Sequence, residues 1–143
     1  ADIAPAGLSA FHSLRIEAEF PWYGIDLSDE NLAQEAGRTE RAISFQKGCY
    51  LGQEPIARLN AMGHVNKALK SFVIESPELP PVGTVLLNPN NEEKEAGRAT
   101  SVTWSWSAGK PIGLGMVRSL FFEAGTELPC VCDPRTTATI RNK

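Results

Sequence analysis

Gly97-Arg98-Ala99-Thr100-Ser101-Val102-Thr103-Trp104-Ser105-Trp106-Ser107 is the stretch that decides the fold. Val102, Trp104 and Trp106 recur at every second position. Strand side chains alternate between two faces, so this run predicts a strand with those three residues on one face. Ala108-Gly109 then predicts a turn. Working outward, the same period-two pattern starts near Asn66 and continues to the end. Strands are expected over 69–75, 84–87, 97–107, 111–118, 127–132 and 136–141. A Pro-rich turn over 77–83 and the Asn88-Pro89-Asn90-Asn91 turn separate the first three. About six short strands with turns between them predict a small antiparallel barrel or sandwich. Trp104 and Trp106 are expected in its core or at an interface, with a base-stacking platform as the alternative.

Before Asn66 the period changes. Leu8, Phe11, Leu14 and Ala18 follow helical spacing and Pro21 closes the segment, which predicts an amphipathic helix over 7–19. Pro21-Trp22-Tyr23-Gly24-Ile25-Asp26-Leu27 is an aromatic connector. Residues 29–41 are polar and predict a loop with one short helical turn. Ile56, Leu59 and Met62 recur at i, i+3 and i+6, with Pro55 in the first turn and Gly63 placed to cap the end. That predicts a second helix over 53–62.

With 143 residues, 42% of them hydrophobic and 22% charged, the chain can bury a core, and disorder is not expected. A net charge of −3 argues against a broad phosphate-binding surface and against direct nucleic-acid binding. No apolar run approaches the roughly 20 residues needed to span a bilayer, and no membrane partner is expected. Three cysteines are too few for a disulfide framework and point to a reducing compartment. The chain opens Ala1-Asp2-Ile3 without methionine, so further sequence is expected upstream.

The chemistry concentrates in Lys47-Gly48-Cys49-Tyr50-Leu51-Gly52-Gln53-Glu54. Two glycines permit a tight turn, and a cation, a thiol, a phenol, an amide and a carboxylate surround them. The segment runs into the predicted 53–62 helix, which places Cys49 near the positive end of a helix dipole. A reactive thiol there is one reading; a small buried residue in a tight turn is the other. Lys47 and Arg58 could bind an anion, or Arg58 could pair with Glu54 at i, i+4. Gln53 and Glu54 suit a first helical turn. Arg15 and Glu17 lie two apart on the first helix and do not face each other. Cys130 and Cys132 are expected to share one strand face and pack in the core; only three cysteines exist, short of a structural metal site, so no metal is expected.

This motif, followed by Ala57-Arg58, resembles the signature of the YgfZ family, folate-binding proteins related to the T-protein (aminomethyltransferase) of the glycine cleavage system. Leu14-Arg15-Ile16-Glu17-Ala18 and Tyr23-Gly24-Ile25-Asp26-Leu27 resemble two further segments of that superfamily, with Glu19 where glycine is usual. Gly97-Arg98-Ala99-Thr100-Ser101 and Gly113-Leu114-Gly115-Met116-Val117 resemble its C-terminal barrel. The resemblance implies an α+β chain. Residues 1–66 would be the last, helical segment of a folate-binding region, and 67–143 a roughly six-stranded antiparallel β-barrel. It implies that an N-terminal half of the same protein, holding a catalytic aspartate, is not in this sequence.

The implied cofactor is tetrahydrofolate, with Phe11, Arg15, Glu17 and Tyr50 as binding residues. Cys49 and Lys47 would be the working groups, and Gly48, Gly52, Gln53, Glu54 and Arg58 complete the motif. The implied function is accessory: support of iron–sulfur cluster assembly or repair, and of tRNA modification through such enzymes. Iron–sulfur enzymes or their assembly machinery would be the partners, in bacterial cytoplasm or the mitochondrial matrix. The alternatives are a folate-dependent aminomethyltransferase of glycine cleavage and a non-enzymatic β-barrel interaction module.

Overall fold

The computed structural model describes residues 4–133 and 135–141; the outer ends of both expected segments, 1–3 and 142–143, lie outside them. Six strands form the second half: β1 (Lys67–Glu75), β2 (Val85–Asn88), β3 (Asn91–Ser105), β4 (Lys110–Arg118), β5 (Glu127–Pro129) and β6 (Thr137–Ile140). They make one sheet in the order β2-β3-β4-β1-β6-β5, with every pairing antiparallel. The two edges approach each other. Leu86 of β2 bridges Cys130, and the Val131 amide donates to the Val85 carbonyl at 3.0 Å. The sheet is therefore a nearly closed barrel, which satisfies edge groups that would otherwise be open to pairing.

Phe72, Ile74, Leu86, Ala99, Val117, Leu128, Ala138 and Ile140 fill the barrel. Leu69, Ile112 and Leu114 form a second core on the outer face, closed by Ile16 of the first helix. β4 is thus covered on both sides over Pro111–Gly115, and its burial loses the period-two alternation. Its glycines have a packing reason. A Cβ at Gly113 would overlap the Phe72 ring, and one at Gly115 would overlap the Arg98 carbonyl.

Two irregularities shape β3. Pro89 and Asn90 form a two-residue turn between β2 and β3. Proline cannot adopt the positive φ of the hairpin turns that match strand twist. The register with β2 shifts between Leu86 and Leu87 and again between Leu87 and Asn88, the extra residues lying on β3. A bulge between Ala99 and Ser101 then resets the faces. Ala99 and Val102 pack against the interior cluster, while Ser101 turns outward to the first helix. The strand ends at Ser105, so Trp106 sits in the following turn, 84% exposed, and Trp104 is only half-buried. The expected strand to Ser107 is corrected, and of the core-or-interface expectation for the two tryptophans the core part does not hold for Trp106. The expected Cys130–Cys132 strand face is also corrected: β5 stops at Pro129, Cys130 is buried at the barrel seam, and Cys132 is exposed in a turn.

Three helices precede the barrel: α1 (Leu8–Glu17), the short α2 (Thr39–Ala42) and α3 (Gln53–Met62). A 3-10 turn at Ala33–Ala36 sits between the first two. Together they give the α+β class the sequence predicts. α3 matches its predicted range and ends in Gly63 at φ 80°. α1 forms where predicted but is turned over. Its buried residues are Arg15 and Ile16, and Leu8, Phe11 and Leu14 are exposed. The apolar stripe that predicted the helix is not the face that packs on the barrel.

Gly113→Ala tests the interior packing. Overpacking of this kind costs about 1–3 kcal/mol. Urea denaturation should show a loss in that range, with an unchanged m-value.

Candidate functional site

The first site element is the junction of α1 and the aromatic connector. α1 ends in a Schellman arrangement: the Glu19 amide donates to Ile16 O at 3.0 Å and the Phe20 amide to Arg15 O at 2.7 Å. Glu19 occupies the left-handed position, φ 56°, which favours glycine. Its carboxylate accepts from the Ser71 hydroxyl at 2.5 Å, and its carbonyl accepts from Arg38 Nη2 at 3.1 Å. Those two bonds offset a backbone cost on the order of 1–2 kcal/mol. The reversal brings the connector back across α1.

There, Arg15 Nη1 donates to Asp26 Oδ2 at 2.6 Å, and the side chains are 3% and 0% exposed. The rest of both groups is also satisfied. Asp26 accepts from the Trp22 amide at 2.9 Å and from the Thr100 and Ser101 hydroxyls at 2.6 Å each. Arg15 Nε donates to His12 Nδ1 at 2.9 Å and Nη2 to Ser101 Oγ at 2.7 Å. The bulged residues of β3 thus meet both members of a buried ion pair. Arg15 is enclosed in a clip that fastens α1 and the connector to the barrel.

Above this clip lies an aromatic group. Phe11 and Trp22 meet edge to face with centroids 5.3 Å apart, and His12 stacks on Trp22 at 5.1 Å. The Arg15 guanidinium lies 5.8 Å from the Trp22 ring centre. Phe11 and Trp22 remain 49% and 38% exposed, so a planar ligand could reach them. Glu17 sits further along α1, where Oε1 accepts from Ser105 Oγ at 2.5 Å and Ser107 Oγ at 3.0 Å. The Ser105 bond above all, then Ser107, holds its carboxyl below the usual range. The stabilisation this adds is present above the ordinary carboxyl pKa and lost as pH falls through the lowered one.

The second element is the motif loop with α3. Lys47, Gly48 and Cys49 are exposed, and Tyr50 is half-buried. The Lys47 ammonium lies 4.6 Å from the Tyr50 ring centre. Gly52 caps α3 at φ 83°, a conformation glycine allows, whereas Gly48 has no such φ. The buried reading of Cys49 is therefore set aside. Gln53 opens α3, and Gln34 Nε2 donates to the Ile56 carbonyl at 2.9 Å, tying α3 to the 3-10 turn. Glu54, Pro55, Arg58, Leu59 and Met62 line a shallow groove of about 300 Å³ with Leu32. No Glu54–Arg58 ion pair forms among the described residues.

Phe11, Arg15 and Glu17 share α1, while Lys47, Cys49, Tyr50, Gly52, Gln53, Glu54 and Arg58 share the loop and α3. Among the described residues, no hydrogen bond or ion pair joins the two groups. Sequence reasoning missed Asp26, Trp22, Ser101 and Thr100. The signal for them was present, since Asp26 and Thr100-Ser101 stand inside two of the segments singled out above. Nothing in the sequence said that those segments touch. No cluster of three or more metal-ligating side chains exists among the described residues.

The glycine cleavage T-protein C-terminal barrel domain model matches residues 67–142. The chain belongs to that family. The aminomethyltransferase of Thermoanaerobacter pseudethanolicus is 30% identical over 141 residues, which is 99% of this chain and 35% of that protein. That of Listeria welshimeri is 32% identical over 126 residues, 88% of this chain and 34% of that protein. The crystal structure of glycine cleavage system aminomethyltransferase T from Bartonella henselae superimposes with TM-score 0.83 at 23% identity, over 95% of this chain and 38% of that one. The fold is shared, helical segment included. The chain spans about a third of the length of these relatives.

Two measurements test this geometry. Asp26→Ala leaves a buried guanidinium uncompensated and should cost about 3–5 kcal/mol in chemical denaturation. The Arg15→Ala, Asp26→Ala pair should cost much less than the sum of its singles. For the thiols, burial and then the neighbouring Cys132 push Cys130 up to about 12. A disulfide reagent at pH 8 should titrate Cys49 and Cys132 in the native chain and reach Cys130 only on unfolding.

Proposed function

We propose that this chain is the C-terminal part of a tetrahydrofolate-binding accessory protein that supports iron–sulfur cluster assembly or repair, and through such enzymes tRNA modification. The observation that carries the reading is the motif loop, with Cys49 and Lys47 exposed on a turn that Gly52 joins to α3. A thiol and an ammonium held on an open surface suit work on a ligand or partner better than they suit packing. Residues 1–66 would form the last segment of the folate-binding region and 67–143 the barrel that braces it.

The residues present fit one wall of a folate site. Phe11, supported by Trp22, offers a half-exposed ring for a flat heterocycle. Glu17 offers a carboxylate oriented by two serines, and Tyr50 a ring beside the Lys47 charge. Arg15 fits a supporting role, since its guanidinium is enclosed beneath Trp22. Tetrahydrofolate, when bound, carries one-carbon units. This chain's part is to hold and orient it, and to present Cys49 and Lys47 beside it. The other wall belongs to sequence upstream.

A second reading, a folate-dependent aminomethyltransferase of glycine cleavage, is favoured by the names of the curated relatives at 30% and 32% identity. The Gly48-Cys49-Tyr50 sequence speaks against it, since the T-protein resemblance does not include it.

The test uses the longer polypeptide that carries this sequence. Cys49→Ser should leave tetrahydrofolate affinity within about twofold and abolish recovery of a dependent iron–sulfur enzyme; full recovery would remove the thiol from the mechanism. Glycine cleavage with a lipoyl carrier should be absent in the unaltered protein, and its presence would favour the second reading.

A further inference from the structure

We infer that His12 is the hydrogen-bond donor that orients a flat heterocycle on the Phe11–Trp22 surface, and that Arg15 fixes the tautomer in which it does so. The inference deepens the folate reading and rests on it.

Arg15 Nε donates to His12 Nδ1 at 2.9 Å. A guanidinium keeps its protons in a protein and offers no acceptor, so Nδ1 is the unprotonated nitrogen of this ring. The neutral imidazole then carries its proton on Nε2. Arg15 has little freedom to release the ring. Its side chain is 3% exposed, with Nη1 held by Asp26 at 2.6 Å and Nη2 by Ser101 at 2.7 Å. The plane of the imidazole is set as well. His12 stacks on Trp22 with 23° between the two planes and meets Phe11 edge to face at 73°. Residue 12 therefore presents one donor in one direction.

That donor is open. Nδ1 and Nε2 point away from each other across the imidazole, and Nδ1 faces the enclosed guanidinium. Among the described residues Nε2 has no hydrogen-bond partner, and Arg38 Nε is the only buried side-chain polar atom left without one. His12 Nε2 is therefore reached by solvent, beside the partly exposed rings of Phe11 and Trp22.

Stacking fixes the plane of a flat ligand and leaves it free to turn within that plane; a placed polar group removes that freedom. The Nε2–H bond lies in the imidazole plane, so its acceptor approaches the ring edge-on. A ring carbonyl or an unprotonated ring nitrogen meets that need, and the pterin of tetrahydrofolate carries both. An all-carbon ring would stack on Phe11 without this bond.

Nitrogen NMR of the longer polypeptide with isotope-labelled histidine tests this, with His12→Asn identifying the signals of residue 12. The Nε2–H tautomer is expected before any ligand is added. Tetrahydrofolate should then move the Nε2 signal and leave Nδ1 in place. An Nδ1–H tautomer, or tetrahydrofolate binding with both signals unmoved, would overturn the inference. His12→Asn gives a second readout. Asparagine places an oxygen near the position of Nδ1, which keeps the acceptor for Arg15 and removes the outward donor with its ring. Melting temperature should stay nearly unchanged while tetrahydrofolate affinity falls about tenfold. A lowered melting temperature with affinity retained would make His12 a prop for Arg15 alone. No tetrahydrofolate binding by the unaltered polypeptide would remove the functional reading and this one together, a result distinct from binding that leaves His12 unmoved.

Discussion

The seating of α1 and the connector on the barrel hangs from one buried ion pair. Arg15 and Asp26 are almost fully enclosed, and neither charge could stay there without the other. Their remaining hydrogen-bonding capacity is taken up by Trp22, Thr100, Ser101 and His12. The pair fixes the roll of α1, the path of the connector and the seat of both on β3. The Schellman turn at Glu19 makes the pair possible by reversing the chain. The β3 bulge completes it by turning Ser101 outward.

The barrel supplies the rigid base for that clip. Its interior is apolar, and its seam closes through Leu86 and Cys130. Glycines at positions 113 and 115 let β4 lie close to Phe72 and to β3. The outer face then divides its work. Leu69, Ile112 and Leu114 with Ile16 give burial, which is strong but does not set direction. The serines and threonines of β3 give hydrogen bonds, which do. α1 is held by both, and its orientation comes from the second.

Much of the fold was legible in the sequence because strand and helix periods are local. The six strands and α3 follow from alternation, turn residues and caps; all lie close to where the pattern puts them except β3, which begins at Asn91, well before the expected Gly97. The motif loop was legible as a collection of polar groups around glycine. Three features were not. The face of α1 was inverted, because a helix-period stripe says which residues are apolar and not which neighbour will cover them. Trp106 was misplaced because β3 ends one residue before it. Cys132 was misplaced because the seam at Cys130 takes the chain out of strand geometry.

The sequence by itself determined the element types, the family-like segments and the chemistry of the motif, since each is written in residues close together along the chain. The tertiary structure decided which segments meet. Arg15 and Ser101 are far apart in sequence, and only the folding of the barrel places one against the other. Long-range hydrogen bonds and a buried charge pair therefore set the direction of α1, the enclosure of Arg15 and the exposure of Phe11. No local pattern encodes a contact whose stability depends on burial by distant strands.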